Sequence, residues 1–176
     1  MTNPPKKVLL LHGWGGKNED HWLTWLEAEL IKKEIPVFFP KIPNNYNPKC
    51  QKWVNHIAEY VKEFQPTIVI GHSLGALAWW HFYQQTSYKV SQVISIAPPT
   101  FESFPNKMKS FFPLPTVVFD ENIHTIVYAK DDPNIKQEDL ENIAKKSHSK
   151  LIQRPTGGHL DHYTKTRRLE ALLDWI

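Results

Sequence analysis

Short apolar runs alternate along the chain with longer stretches whose apolar residues recur at helical spacing. The first run, Val8-Leu9-Leu10-Leu11, is unbroken by polar residues, as a strand buried on both faces requires. Trp22, Trp25, Leu26 and Leu30 then share one side of a helix expected over residues 20–33. Val37-Phe38-Phe39 reads as a second strand, and a helix over 51–64 carries Trp53, Ile57, Tyr60 and Val61 as its apolar stripe. The β-branched run at 67–70 is a third strand, followed at once by a proline-free helix over 74–85. Residues 93–96, 124–129 and 150–154 supply the fourth, fifth and sixth strands, with helices over 136–146 and 165–176 covering the sheet. Such alternation implies an α/β fold with one all-parallel sheet, right-handed crossovers and helices on both faces. The 176 residues make one domain, with no internal repeat and enough chain to bury about 70% of its unfolded surface.

The junction of the third strand and its helix carries the chemistry. Gly71-His72-Ser73-Leu74-Gly75 is a G-x-S-x-G motif in strand–turn–helix context, where a serine oxygen is left exposed at a helix N-terminus. Ser73 is therefore the candidate nucleophile. A serine hydroxyl needs a base and an orienting acid, which in this arrangement follow it in the order acid, histidine, each just after a later strand. The fifth strand runs into Lys130-Asp131-Asp132-Pro133-Asn134-Ile135, and the sixth into Pro155-Thr156-Gly157-Gly158-His159. Asp132 is preferred to Asp131 because an apolar anchor, Ile135, follows it by three positions. Asp131 beside it reads as a turn or capping carboxylate. His159 is preferred to His162 because two glycines give its loop freedom to turn inward, whereas His162 lies among polar residues. His72 is expected to pack beside the serine, and His56, His81, His124 and His148 to be structural or solvated.

A third element is a place for developing negative charge. The first strand feeds the glycine-rich run His12-Gly13-Trp14-Gly15-Gly16. One backbone N–H donor to an oxyanion is expected from Leu74, the residue after the serine, and the other from Trp14. The run lacks the Gly-Lys-Ser/Thr ending and the G-x-G-x-x-G spacing of phosphate loops, which argues against nucleotide binding. No metal or other cofactor is implied, since the histidines do not cluster with carboxylates or Cys50 at ligand spacing.

These motifs together resemble the small single-domain serine hydrolases that include retinoblastoma-binding protein 9 and its bacterial relatives, within the α/β-hydrolase superfamily. The likeness is carried by His12-Gly13, Asp20-His21-Trp22 with Trp25-Leu26, Ile42-Pro43-Asn44, Trp53, the Ser73 motif, Lys130-Asp131-Asp132 and Gly157-Gly158-His159, in order along nearly the whole chain. The acid loop departs from the pattern in lacking a proline after its apolar anchor. The resemblance implies a single-domain α/β-hydrolase with strand order 2-1-3-4-5-6, and Ser73, Asp132 and His159 as nucleophile, acid and base. It supplies no natural substrate.

Charge and composition narrow the picture further. The net charge of +3 comes with scattered cation pairs, Lys32-Lys33, Lys145-Lys146 and Arg167-Arg168, which read as solvated helix residues and not as a nucleic-acid stripe. No run approaches the ~20 apolar residues of a membrane span, and the polar N-terminus is not a signal peptide. A lone Cys50 cannot form an internal disulfide, which suits a cytoplasmic location. The connection from Pro98 to Ile123 is too short for a substantial cap domain. Its Phe101, Phe104, Phe111, Phe112, Leu114 and Phe119 either wall an apolar acyl pocket, with Phe111 and Phe112 foremost, or pack on the sheet edge. The expected partner is a small acyl substrate, an ester or thioester. Amide or peptide cleavage by the same residues, or a protein-binding module that keeps the fold, are the alternatives.

Overall fold

The computed structural model describes residues 5–100, 106–120 and 122–176. Strands β1 (Val8–Leu11), β2 (Val37–Phe38), β3 (Ile68–His72), β4 (Gln92–Ile96), β5 (His124–Ala129) and β6 (Lys150–Arg154) form one sheet in the order 2-1-3-4-5-6. Every neighbouring pair is parallel, as the alternation of strands and helices requires. The order is the one that the resemblance implies.

The sheet is covered on both sides, and β1 shows how. Val8 and Leu10 enter one core with Trp22, Leu26 and Leu30 of helix α1 (Trp22–Lys32) and Leu172 of α5 (Ala171–Trp175). Leu9 and Leu11 enter the other, with α2 (Cys50–Phe64), α3 (Leu74–Gln84) and α4 (Gln137–Lys146). Successive strand residues point to opposite faces, so a four-residue apolar run serves two cores. No helix among the described residues is long and apolar enough to cross a membrane.

The structure departs from the sequence reading in the last helix and adds detail to the connection between β4 and β5. The last helix is five residues long and begins at Ala171, not at 165. The preceding segment is held in turns instead: Asp161 accepts the Thr164 N–H through its carboxylate at 2.9 Å and the Thr166 N–H through its carbonyl at 3.0 Å. Lys165 sits at φ 60°, which breaks a helix there and leaves Arg167 and Arg168 outside any helix. A 3-10 helix, Asn106–Phe111, lies in the connection between β4 and β5, which the hydrophobic pattern did not signal. From that connection Phe111 is fully buried and meets Trp53 edge-on at 5.7 Å, while Phe112 packs half-buried on the same cluster. Phe119 stacks on Tyr83 at 4.7 Å, and Leu114 also packs on this core. These side chains cover the apolar surfaces of α2 and α3, which would otherwise face water. Phe101 and Phe104 lie outside the described residues.

Four tryptophans, Trp22, Trp53, Trp79 and Trp80, are buried in the cores. Cys50 is buried as well, and desolvation pushes its thiol up to about 12. A polar chain crosses the core beside them. Trp80 donates to Ser95 Oγ at 2.9 Å, and His124 bonds Ser95 and Ser149 at 2.8 and 2.6 Å. Burial pushes His124 down to about 3 from an ordinary 6.5.

The unfolded chain binds a proton on His124 at a pH where the folded chain refuses it. This contribution to stability is complete above pH 6.5 and is lost as the pH falls toward about 3. His124→Gln should lower stability near neutrality but flatten its decline with acidification. Urea midpoints measured between about pH 4 and 7 check this, and an unchanged slope would assign the proton uptake to other groups.

Candidate active site

The site lies at the C-terminal ends of β1, β3, β5 and β6. Ser73 joins β3 directly to α3 at φ 53°, ψ −123°, a backbone conformation that costs an L-residue about 1–3 kcal/mol. The turn is held from both sides. The Ser73 N–H donates to the Ile96 carbonyl at 2.9 Å, and the Ser73 carbonyl accepts the Ala76 N–H at 3.0 Å. Close packing completes it: a Cβ at Gly75 would lie 2.5 Å from the carbonyl oxygens of both Leu11 and His12, and one at Gly13 would lie 2.9 Å from Ser73 Cβ.

Three side chains named from the sequence meet here. Ser73 Oγ is 2.8 Å from His159 Nε2, and His159 Nδ1 is 2.8 Å from Asp132 Oδ2. A carboxylate only accepts, so the Nδ1–H donates to Asp132 and leaves Nε2 free to accept from the serine hydroxyl. The other Asp132 oxygen accepts the Asn134 N–H at 2.9 Å. Asp132 and Ser73 are both buried. Ile135 packs against both cores, anchoring the acid loop.

Ser73 and His159 open into a cleft of about 280 Å³. The match to the serine hydrolase family model runs from residue 8 to 175. The chain belongs to that family. It is 21% identical over 162 residues to YdeN of Bacillus subtilis (strain 168), covering 88% of this chain and 85% of that protein. The crystal structure of the ydeN gene product superposes with a TM-score of 0.80 at 21% identity, over 97% of this chain and 96% of that one. A YdeN-like protein from Pectobacterium atrosepticum gives 0.79 at 20% identity, over 97% and 88%. At these identities the superpositions speak for the fold, and the family match identifies a hydrolase.

In this serine hydrolase the histidine loop is fixed by residues whose part the motif did not reveal. His72 donates from Nε2 to the His159 carbonyl at 2.9 Å, and Trp22 from Nε1 to the Leu160 carbonyl at 2.8 Å. Asp131, the rejected acid, accepts the N–H groups of Gly157 and Gly158 at 3.3 and 2.8 Å. Those bonds, with Gly158 the larger, hold its carboxyl below the usual range. Adjacent aspartates thus divide the work, one orienting the imidazole and one tying down the loop that carries it. The His-Trp pair at 21–22 was visible in the sequence, but not its target 138 residues away.

The glycine-rich loop after β1 is braced too. The Ile42 N–H donates to His12 Nε2 at 2.9 Å, so the opposite nitrogen carries the proton and donates to the Gly13 carbonyl at 2.7 Å. Asn45 donates to the Gly15 carbonyl at 2.7 Å and accepts the Gly15 N–H at 3.2 Å. Trp14 is 43% exposed and lines the cleft. Among the described residues, the backbone N–H groups of Trp14 and Leu74 have no hydrogen-bond acceptor.

Neutral histidines surround the pair. Burial first, and then the neighbouring His162, push His21 down to about 4. His72, fully enclosed and next to His21, is held well below the ordinary histidine value. Phe111 and Phe112 do not border the cleft; among the described residues of their segment Met108 does. Tyr46, Tyr163, Asn18, Asn134 and His21 also border it, and none was singled out as a site residue from the sequence. Asn18, Tyr46 and Tyr163 come from loops without periodicity or motif, while His21 and Asn134 lie in segments singled out for other residues. Among the described residues, no group of three or more His, Cys, Asp or Glu is arranged to hold a metal ion.

The close approach at Gly75 gives a stability test. Gly75→Ala pushes a methyl into two backbone carbonyls, which cannot yield as a side chain can, and should cost about 3 kcal/mol, the upper end for overpacking. Gly15→Ala meets no atom within 4 Å and only the strain of φ +86°, so it should cost about 1 kcal/mol. Thermal denaturation should show a drop of roughly 6–12 °C for the first and 2–4 °C for the second.

Proposed function

We propose that this serine hydrolase cleaves a small ester or thioester through an acyl-enzyme formed on Ser73. The observation that supports it most is the continuous run Ser73 Oγ, His159, Asp132 at 2.8 Å per step, with the serine held on a strained turn at a cleft. Ser73 Oγ attacks the substrate carbonyl carbon while its proton passes to His159 Nε2. Asp132 keeps the imidazole in the accepting tautomer and stabilises the cation that forms. The carbonyl oxygen, now carrying the negative charge, is received by the N–H groups of Trp14 and Leu74. Collapse breaks the bond to the alcohol or thiol, which leaves with the proton from His159. Water then attacks the acyl-enzyme, gives a proton to His159, and releases the acid as the proton returns to Ser73.

Within the family, we infer kinship with the small hydrolases that include retinoblastoma-binding protein 9, on the His-Trp-x-x-Trp-Leu segment from His21 to Leu26. A cytoplasmic setting fits the lone buried thiol of Cys50.

A fluorophosphonate probe tests the nucleophile. Mass spectrometry should locate the adduct on Ser73 in the wild type and find none in Ser73→Ala, with His159→Ala labelled far more slowly. Folded wild type that takes no label would refute an activated serine. Asp132→Asn should lower kcat on a small acetate ester by about 10⁴, through loss of the productive tautomer, and Asp131→Asn far less.

The pH profile follows from the site. A base must be unprotonated to accept from Ser73, so activity rises with pH. His21, at about 4, and His72, well below the ordinary value, are already neutral between about pH 5 and 8 and add no second ionisation. A single rise to a plateau in kcat/KM is expected. A flat profile would remove histidine from the base role.

A further inference from the structure

The cleft has a composition that the reaction alone does not require. Among the described residues five large hydrophobic side chains are well exposed, and the three aromatic ones, Trp14, Tyr46 and Tyr163, all line this cleft. Scattered exposed apolar residues need no explanation, but their convergence on one opening does. Trp14 and Tyr46 meet at 5.4 Å and 87°, two ring faces set at a right angle, and Trp14 Nε1 donates to the Tyr46 carbonyl at 3.4 Å. Tyr163, 77% exposed, stands beside His162, with ring centroids 4.0 Å apart.

Polar groups sit among these rings. His21 is one whose proton is placed: the Leu23 N–H donates to its Nδ1 at 3.2 Å, so Nε2 carries the hydrogen and offers a neutral donor at the cleft wall. Asn18 and Asn134 border the same space. Met108 is the single aliphatic side chain on the wall among the described residues.

We propose that this cleft takes short-acyl esters of a hydroxyl-bearing, sugar-like ring, with the ring seated against Trp14, Tyr46 and Tyr163 and the ester carbonyl at Ser73. The inference rests on the hydrolase reading above and names its substrate class. A pyranose has C–H faces that pack on aromatic rings, and hydroxyls around its edge that pair with asparagine amides and the His21 donor. A plain arene would cover the rings but leave the His21 donor and the Asn134 amide desolvated without partners, at a cost. A long alkyl acyl chain would meet one methionine and otherwise rings and polar groups. A quaternary ammonium could stack on the same rings; Lys17, already paired with Glu27, and Asp161 both line the wall, so acetylcholine is included to separate that occupant from the sugar.

The test compares four acetates of primary alcohols, so that the leaving groups are alike: ethyl acetate, benzyl acetate, acetylcholine and methyl 6-O-acetylglucopyranoside. The sugar ester should exceed ethyl and benzyl acetate by about tenfold or more in kcat/KM. Tyr46→Ala and Tyr163→Ala, checked for folding by thermal denaturation, should raise KM for the sugar ester and bring its advantage over ethyl acetate toward unity. Tyr163→Phe, which keeps the ring, should retain the advantage. Benzyl acetate or acetylcholine equalling the sugar ester, or tyrosine variants that lower all four in proportion, would overturn the proposal. So would Ser73 labelled by fluorophosphonate with none of the four acetates turned over, an outcome that leaves the nucleophile standing. If neither labelling nor turnover occurs, the hydrolase reading fails and this inference with it.

Discussion

One serine held in a backbone conformation that L-residues avoid governs the geometry of the rest. A φ of 53° at Ser73 turns β3 into α3 without a loop, and this sets the hydroxyl at the sheet's edge. The strain persists only because the surroundings over-determine it. Its N–H is taken by β4 and its carbonyl by the first turn of α3. Gly75 lets that turn lie directly against the last carbonyls of β1. The helix itself is buried almost throughout, so it cannot shift to relax the turn without opening a core. The sheet, the helix and the glycine spacing therefore act as one clamp on one residue.

Around that clamp, buried histidines serve as connectors. A neutral imidazole offers one donor and one acceptor at a fixed separation, and burial keeps His12, His21, His72 and His124 neutral. His12 joins the β1 loop to the segment after β2, His72 joins the β3 turn to the His159 loop, and His124 ties β5 to Ser95 and Ser149. Only His159 among the histidines at this site bonds both the serine and a carboxylate. Residue type alone does not distinguish these roles, and the environment of each ring does.

The sheet was legible because each strand is a short unbroken apolar run and each long helix carries a stripe. The three hydrogen-bonded residues were legible because the Ser73 motif predicts where the others must stand along the chain. Asp132 over Asp131 followed from Ile135, which is anchored as expected. What escaped depends on distance in the sequence. Trp22 reaches Leu160 and His72 reaches His159, and no local pattern encodes such a pairing. The helix expected from residue 165 gave way to side-chain bonds from Asp161, a local competition that apolar spacing does not register. Phe111 and Phe112 carried two readings because an apolar side chain suits a pocket or a core equally, and only the position of α2 decides.

The parallel sheet also sets when the site can exist. Ser73 is made early, in the middle of the sheet, whereas its base is 86 residues further along and follows the last strand at the sheet's edge. A ribosome releasing this chain exposes the Ser73 turn long before β6 can add to β5, and such late, long-range pairing is slow. Until then the hydroxyl is an ordinary alcohol with no partner to take its proton. The hydrogen-bonded run from Ser73 through His159 to Asp132 therefore arrives only with the closing edge of the fold.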